Sequence, residues 1–478
     1  MMIKVEFLRA YNFEYENDFY LFDTNSFDIC KIDKDTYDAI EKVKKGELSS
    51  IPKKIMAKFS KLLENDIFFG EDCFLDSKVD SDTAYLSLAP VYGCNFRCKY
   101  CFASAGENYV EKEQVLRQFT KDTLFNTLEY FTNQLFPNQK NYRIDLVSGG
   151  EPLLNFEIIK HIVEYVNEFN NTKKDSKITL WMCTNGTLLT DEINKFLSQN
   201  GVSIGISIDG NEQTHNKFRV FKDGTGTYDS VVRNYKNIKN SALYSNHYKD
   251  IWGLSVVNSQ NCKVVDNLLH FKELGFKNVQ FKLVRLCKEN ELSINSNNIS
   301  NVIAEYKKLT SLLLREVEND RVDLMMMVLN DNDYFGKILK RIILKEIHIQ
   351  RCWAGMKKVS ICPNGDIYPC DSFVGLKQFK IGNINCTEPI NWNVIDRYSV
   401  NERATCQKCN IKYICGGDCY YNVSIVDSSN ECDYIFCYFM QEISKMVLYL
   451  YYNLKFNNPT TFKKIESIMN YRNKLSRR

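Results

Sequence analysis

The sequence predicts an α/β fold: a parallel sheet or open barrel of six βα units, with a small α+β unit ahead and a cysteine-rich unit behind. Three observations predict it. Six short apolar runs alternate with helical stretches between residues 84 and 300. Strand-like runs followed by helices fill residues 1–80. Cysteines crowd residues 350–440, where regular periodicity fades. At 478 residues the chain is long enough for roughly three domains.

The first unit opens with alternation over 3–8. Residues 19–23 and 27–32 then alternate around the turn Thr24-Asn25-Ser26. This is the pattern of a small antiparallel sheet. Helical periodicity follows over 33–45 and 52–65, with Asp35 as the expected cap of the first helix. In the second unit the strand-like runs are 84–88, 142–147, 178–182, 202–208, 253–257 and 279–283. Helical stretches at 119–134, 156–170 and 191–199 lie between them. In such sheets functional groups gather at the carboxyl ends of the strands. Residues 301–349 read as a helical connector, 350–440 as a cysteine-rich segment too irregular to form a core without metal, and 441–478 as a helical tail.

Composition excludes several classes. The 62 basic and 59 acidic residues nearly balance, so no global field draws the chain to nucleic acid or an anionic membrane. No apolar run approaches the ~20 residues that span a bilayer. The amino terminus lacks the apolar core of an export signal, so the cytoplasm is the expected compartment. In a reducing cytosol, 18 cysteines point to metal or redox chemistry rather than disulfides.

Spacing sharpens this. Directly after the first βα strand stands Gly93-Cys94-Asn95-Phe96-Arg97-Cys98-Lys99-Tyr100-Cys101-Phe102, or Cys-x3-Cys-x2-Cys. Three thiolates are one short of the four that close a structural zinc site or fully ligate an iron–sulfur cube. A cube so held keeps one corner free for a non-protein ligand. After the second strand comes Ser148-Gly149-Gly150-Glu151-Pro152, where glycines admit close backbone approach and a carboxylate can accept from an ammonium. After the third comes Thr184-Asn185-Gly186. After the fourth comes Ser207-Ile208-Asp209-Gly210, with His215, Asn216 and Arg219 beyond it.

Together these elements resemble the radical S-adenosylmethionine (SAM) superfamily. The resemblance implies a partial (β/α)6 barrel over 84–300, with Cys94, Cys98 and Cys101 holding a SAM-binding [4Fe–4S] cluster. It further implies that Phe102, Gly149, Gly150, Glu151, Ser207 and Arg219 contact SAM, the Gly-Gly-Glu-Pro element taking its amino group. Arg219 could instead form a salt bridge, and His215 reads more readily as structural.

The second cysteine field runs Cys352-x12-Gly365-x4-Cys370, then Cys406-x2-Cys409-x5-Cys415-x3-Cys419, then Cys437. It resembles the SPASM auxiliary-cluster domain. Carried over, Cys406, Cys409, Cys415 and Cys437 would hold a distal [4Fe–4S] cluster, and Cys352, Cys370 and Cys419 a proximal one. Three clusters in all are then expected. The proximal fourth ligand could be Cys362, Cys386 or Cys432, or a substrate thiolate, and Cys432 could replace Cys437. A zinc ribbon of Cys406, Cys409, Cys415 and Cys419 is the competing reading. Asp371, directly after Cys370, sits where related enzymes place a proposed general base; its alternative is a turn cap.

The expected chemistry is reductive cleavage of SAM to a 5′-deoxyadenosyl radical that takes hydrogen from an unactivated carbon, with auxiliary clusters accepting a further electron or binding sulfur. The amino-terminal unit resembles leader-recognition domains of maturases acting on ribosomally made peptides, which add a peptide as a strand at a sheet edge. The resulting expectation is a peptide maturase forming a thioether crosslink, supplied with electrons by a flavodoxin- or ferredoxin-type donor. The alternatives are an anaerobic sulfatase-maturating enzyme and, in another class, a non-catalytic zinc-ribbon or electron-transfer protein.

Overall fold

A computed structural model describes residues 10–47, 50–55, 57, 74, 81–103, 118–241, 251–284, 286, 290–395, 399–426 and 432–476. The expected strand at 3–8 and most of the expected helix at 52–65 lie outside the described residues.

The amino-terminal unit is a three-stranded antiparallel sheet, β1 (Ala10–Tyr15), β2 (Asp18–Asp23) and β3 (Ile29–Ile32), followed by α1 (Lys34–Lys44). Register pairs Phe13 with Tyr20 and Leu21 with Cys30. The cap of α1 is Asp33, not the expected Asp35. The Asp33 carboxylate accepts from the Thr36 N–H at 2.8 Å, while Asp35 falls in the first helical turn. The reason is local: Asp33 has extended backbone, which an N-cap needs.

The main sheet carries β4 (Thr83–Leu88), β5 (Asn141–Leu146), β6 (Lys177–Thr184), β7 (Ser203–Ser207), β8 (Ile251–Val257) and β9 (Asn278–Leu283), all parallel and in chain order. Helices α2 (Lys121–Glu129), α3 (Phe156–Thr172), α4 (Asp191–Gln199), α5 (Glu212–Phe218), α6 (Tyr228–Asn240) and α7 (Val264–Leu274) connect them. Each expected strand of this unit is present. They read plainly because buried apolar side chains recur at alternate positions: Leu86, Ile144, Met182, Ile204 and Phe281 are all buried.

Helices α8 (Ile299–Glu318), α9 (Asp323–Val328) and α10 (Tyr334–Leu344) follow. The cysteine-rich segment then joins the main sheet rather than standing apart. Strand β10 (Lys358–Ile361) pairs in parallel with β4, and β11 (Asp366–Tyr368) and β12 (Gly382–Asn383) continue the sheet antiparallel. The order is β12-β11-β10-β4-β5-β6-β7-β8-β9. The Tyr85 N–H donates to the Lys357 carbonyl at 2.7 Å, and Ser360 Oγ donates to the Ser87 carbonyl at 2.9 Å. Backbone pairing therefore helps hold a segment for which the sequence suggested metal alone.

Short helices α11 (Ala404–Gln407), α12 (Lys412–Cys415) and α13 (Tyr420–Val426) precede the long α14 (Tyr434–Tyr452) and α15 (Pro459–Ser476). Helix α14 crosses the expected boundary at 440. It packs on α8 and α10, and its far end receives the amino-terminal sheet: Tyr15 lies 4.8 Å from Tyr449 and Tyr20 lies 5.2 Å from Tyr452, ring to ring. Among the described residues no helix is long and apolar enough to cross a membrane.

Candidate functional site at the strand ends

The first cysteine loop leaves β4 and crosses the carboxyl ends of the neighbouring strands. Its backbone is pinned on both sides. Arg97 N–H donates to the Val220 carbonyl and Lys99 N–H to the Phe218 carbonyl, each at 2.9 Å. On the other side the Glu151 N–H donates to the Gly93 carbonyl at 2.9 Å. Gly150 is required there, since a Cβ on it would lie 1.8 Å from the Gly93 oxygen. The Gly-Gly-Glu-Pro element is thus the shelf on which the cysteine loop rests.

Cys94, Cys98 and Cys101 are partly exposed, and Cys101 lies close enough to Cys94 and Cys98 to oppose the ionisation of both. The Phe96 N–H donates to the Cys94 sulfur at 3.4 Å. Burial pushes the Cys98 thiol up to about 12, against the pull of Arg219. Such a thiol ionises when a metal takes its proton's place. Three sulfurs on one loop are a donor set suited to an iron–sulfur cube that keeps a corner for another ligand.

Glu151 is buried, and its carboxylate accepts from Thr184 Oγ1 and the Asn185 N–H, both at 2.7 Å, and from the Leu153 N–H. Burial nevertheless pushes its carboxyl up to about 7. Arg219 is also buried. Its Nε donates to Asp209 at 2.9 Å, its guanidinium lies over the Tyr100 ring, and Nη1 stands 4.0 Å from the Cys98 sulfur. Burial opposes its charge, but Asp209 more than compensates and keeps it protonated. Ser207 lies 3.8 Å from the Cys183 sulfur.

Asp209 and Tyr100 were not singled out from sequence, yet they organise this corner. Asp209 accepts from Tyr100, from Arg219 and from the Val256 N–H. Tyr100 is the aromatic directly before Cys101, a signal as visible as Phe102 after it. His215 accepts from the Asp209 N–H through Nδ1 and meets Thr227 through Nε2 at 2.9 Å. Burial, then Arg219, holds its imidazole down at about 3, so it is neutral and structural.

Phe102 is anchored by an apolar contact. With Cys101 it packs on a buried cluster of Ala89, Tyr92, Tyr368, Phe373 and Tyr420, against which Cys352 and Cys370 also rest. One apolar cluster thus joins the first cysteine loop to the second field.

Within the second field the sulfurs sort into two sets. Cys352, Cys370 and Cys419 influence one another, and burial pushes Cys370 up to about 12. Cys406, Cys409, Cys415, Cys432 and Cys437 line one cavity. Cys415 and Cys419 separate because Gly416 and Gly417 both have positive φ, 76° and 85°, and reverse the chain between them. The zinc-ribbon reading needs Cys406, Cys409, Cys415 and Cys419 around one ion. Cys419 stands instead beside Cys352 and Cys370, in the other set. Cys386 is exposed, and Cys362 is buried beside the Tyr92 hydroxyl at 3.5 Å. The Cys432 sulfur accepts from Cys406 at 3.3 Å, from Cys437 and from Arg403 at 3.6 Å, which lowers its thiol.

Cations surround these sulfurs. Arg341 Nη1 donates to the carbonyls of Ile414 and Cys415, while among the described residues its buried Nε and Nη2 meet no acceptor. Arg351 lies over the rings of Tyr334 and Phe436, close to both Cys415 and Cys419, and its buried Nη1 likewise meets none. Orphaned guanidinium donors beside grouped thiols fit anionic iron–sulfur clusters, whose charge and hydrogen bonding they would meet.

Asp371 connects the two regions. Its Oδ2 accepts from Ser148 Oγ at 2.7 Å, and its Oδ1 pairs with Lys358 Nζ at 3.2 Å. Burial opposes the charge on Lys358, but Asp371 and Asp145 outweigh it and keep the ammonium protonated.

Comparison with known proteins agrees with this geometry. Residues 88–260 match the Radical SAM superfamily. The cysteine-type anaerobic sulfatase-maturating enzyme of Clostridium novyi (strain NT) is 27% identical over 371 residues, 74% of this chain and 93% of that one. The serine-type enzyme of Bacteroides thetaiotaomicron is 24% identical over 372 residues, 71% and 83% of the two chains. Among solved structures, native anSMEcpe with bound AdoMet shares the fold at a TM-score of 0.60 and 22% identity, covering 81% of this chain and 99% of that one. Streptococcus suis SuiB bound to precursor peptide SuiA shares it at 0.50 and 15%, covering 91% and 99%. Such proteins bind SAM on a [4Fe–4S] cluster, a group for which the three-thiol loop offers a suitable donor set. The non-catalytic alternative is thereby set aside: the chain is an enzyme that carries a radical SAM domain over residues 88–260 and is related in sequence to the anaerobic sulfatase maturases.

Proposed function

We propose that the chain is a radical SAM peptide maturase that binds a ribosomal precursor by its leader and oxidatively crosslinks a core cysteine sulfur to carbon. The supporting observation is the amino-terminal sheet docked on α14. The Clostridium novyi enzyme is spanned almost entirely, yet it aligns with only 74% of this chain. Among the described residues β3 pairs only with β2, which leaves an edge for strand addition. SuiB, which has a similar fold, binds a precursor peptide. A leader on this edge would lie at one end of α14, with Cys437 in the first turn of the other end.

Carbon–sulfur bond formation removes a hydrogen atom from carbon, a proton from sulfur and one further electron, two protons and two electrons in all. It therefore needs a hydrogen acceptor, a base for the thiol proton and an electron acceptor. SAM on the cluster of Cys94, Cys98 and Cys101 supplies the hydrogen-abstracting radical when bound. Gly149, Gly150 and Glu151 would hold its amino group, Ser207 and Arg219 its ribose or carboxylate, and Phe102 would close the apolar side. Asp371 is the proposed base, paired with Lys358 and oriented by Ser148. Two auxiliary [4Fe–4S] clusters, one on Cys352, Cys370 and Cys419 and one on the five-cysteine cavity, would take the remaining electron. A flavodoxin- or ferredoxin-type protein is the proposed donor for SAM cleavage.

Coexpression with a small cysteine-containing precursor encoded nearby, followed by mass spectrometry, tests this. Loss of two hydrogens at a cysteine-linked residue is expected; an unmodified precursor under conditions of active SAM cleavage overturns it. The second reading is oxidation of a sulfatase cysteine or serine to formylglycine. Asp371 beside Cys370 and the span of the Clostridium novyi match favour it. Aldehyde formation on a sulfatase-derived peptide would select it.

A further inference from the structure

The distal cavity holds one thiol more than a cube has corners. Cys406, Cys409, Cys415, Cys432 and Cys437 all line it. A [4Fe–4S] cluster takes four thiolates. The surplus has a structural origin. Cys432 directly precedes Asp433, whose carboxylate accepts from the Ile435 N–H and caps α14. Cys437 lies in the first turn of the helix so capped, and its thiol hydrogen-bonds the Cys432 sulfur. One cap thus aims two sulfurs at one space.

The two are not equivalent. The Cys432 sulfur lies 3.3 Å from Cys406 and 3.6 Å from the Arg403 guanidinium nitrogen, which is buried behind it. Cys432 is buried, whereas Cys437 is partly exposed. We infer that Cys432 is the resident fourth ligand of the distal cluster and that Cys437 is a reserve ligand, held one hydrogen bond away to replace it. The exchange is thiolate for thiolate. The Fe–S bond to Cys432 breaks, that to Cys437 forms, the proton moves from the incoming to the leaving sulfur, and no electron is transferred. The site then survives loss or alkylation of either thiol, since second-sphere groups already hold the substitute in place. This rests on the distal-cluster reading proposed above.

The test uses the full chain, reconstituted anaerobically with iron and sulfide. Iron and sulfide content and Mössbauer spectra are compared for Cys432→Ala, Cys437→Ala, the double variant and Cys409→Ala. Both single variants are expected to keep the wild-type iron content, Cys432→Ala with an altered spectrum. The double variant and Cys409→Ala are expected to lose one cube's worth. Loss of that iron in either single variant, or its retention in the double variant, overturns the inference. Retention in Cys409→Ala would instead defeat the distal-cluster reading itself. Iodoacetamide labelling of the native protein adds a second readout that needs no variant. Cys437 should be modified and Cys432 protected; the reverse pattern overturns the assignment. An unchanged paramagnetic signal from the Cys94 loop with SAM shows that each variant has folded.

Discussion

The two cysteine regions of this protein are built on opposite terms. The first is a single loop with three thiols, stretched across strand ends and pinned by backbone hydrogen bonds to Val220, Phe218 and Gly93. The second gathers eight thiols from helices, turns and the start of α14, and encloses them with guanidinium groups. The first has fewer sulfurs than a cube needs, and the second has more in one of its cavities. An incomplete set suits a cluster that must bind a small molecule. A surplus suits a cluster that must persist.

The sharpest way to break this contrast is to remove the sulfurs region by region. Replacing Cys94, Cys98 and Cys101 by Ala should abolish 5′-deoxyadenosine formation, whereas replacing Cys406 and Cys409 should block product yet leave SAM cleavage measurable by chromatography. Equal losses would merge the two regions into one function. Next in size is Gly150→Ala. Its Cβ would meet the Gly93 oxygen and displace the whole first loop, so SAM cleavage should fall about 100-fold, as expected for a misplaced reacting group, with the second region's iron retained.

Asp371→Asn should lower product formation about 100-fold, the usual worth of a general base, while uncoupled SAM cleavage continues. A smaller effect is expected from pH. The Glu151 carboxyl, raised to about 7, is mostly protonated at pH 6 and mostly ionised at pH 8. Only the ionised form attracts an ammonium, so SAM should bind up to about tenfold more tightly at pH 8, and Glu151→Gln should flatten the dependence. The smallest expected change concerns Arg351→Met. It should leave SAM binding intact and shift the auxiliary signals to lower potential in a redox titration, because a cation near a cluster favours its reduced form.

Much of this was visible in the sequence for physical reasons. Strands with a buried residue at every second position read as alternating runs, so β4 to β9 stood out, and the thiols of the first loop lie within eight residues of one another. What was hidden had the opposite character. Strands β10, β11 and β12 are four, three and two residues long, too short for periodicity. Their attachment to β4 depends on pairing across some 270 residues, which no local pattern encodes. The Asp33 cap was missed because Asp33 and Asp35 are chemically alike and only backbone conformation separates them. Tyr100 and Asp209 were overlooked because their importance lies in a shared hydrogen bond. Cys432 could be named as a candidate, but its place beside Cys406 follows from the turn into α14. The Arg351 and Arg341 guanidiniums carry no sequence signature at all.

The parallel seam between β4 and β10 has one more consequence. Two centres that must cooperate are usually brought into line by a hinge or a lid, whose motion sets their spacing. Here a continuous ribbon of main-chain bonds fixes that spacing as soon as the protein folds. On the reading proposed above, a peptide modified between the two centres would meet a frame set by backbone pairing, and its selection would fall to the side chains and loops along the rim. Such a frame lets new specificities arise by changing the rim while the machinery keeps its alignment.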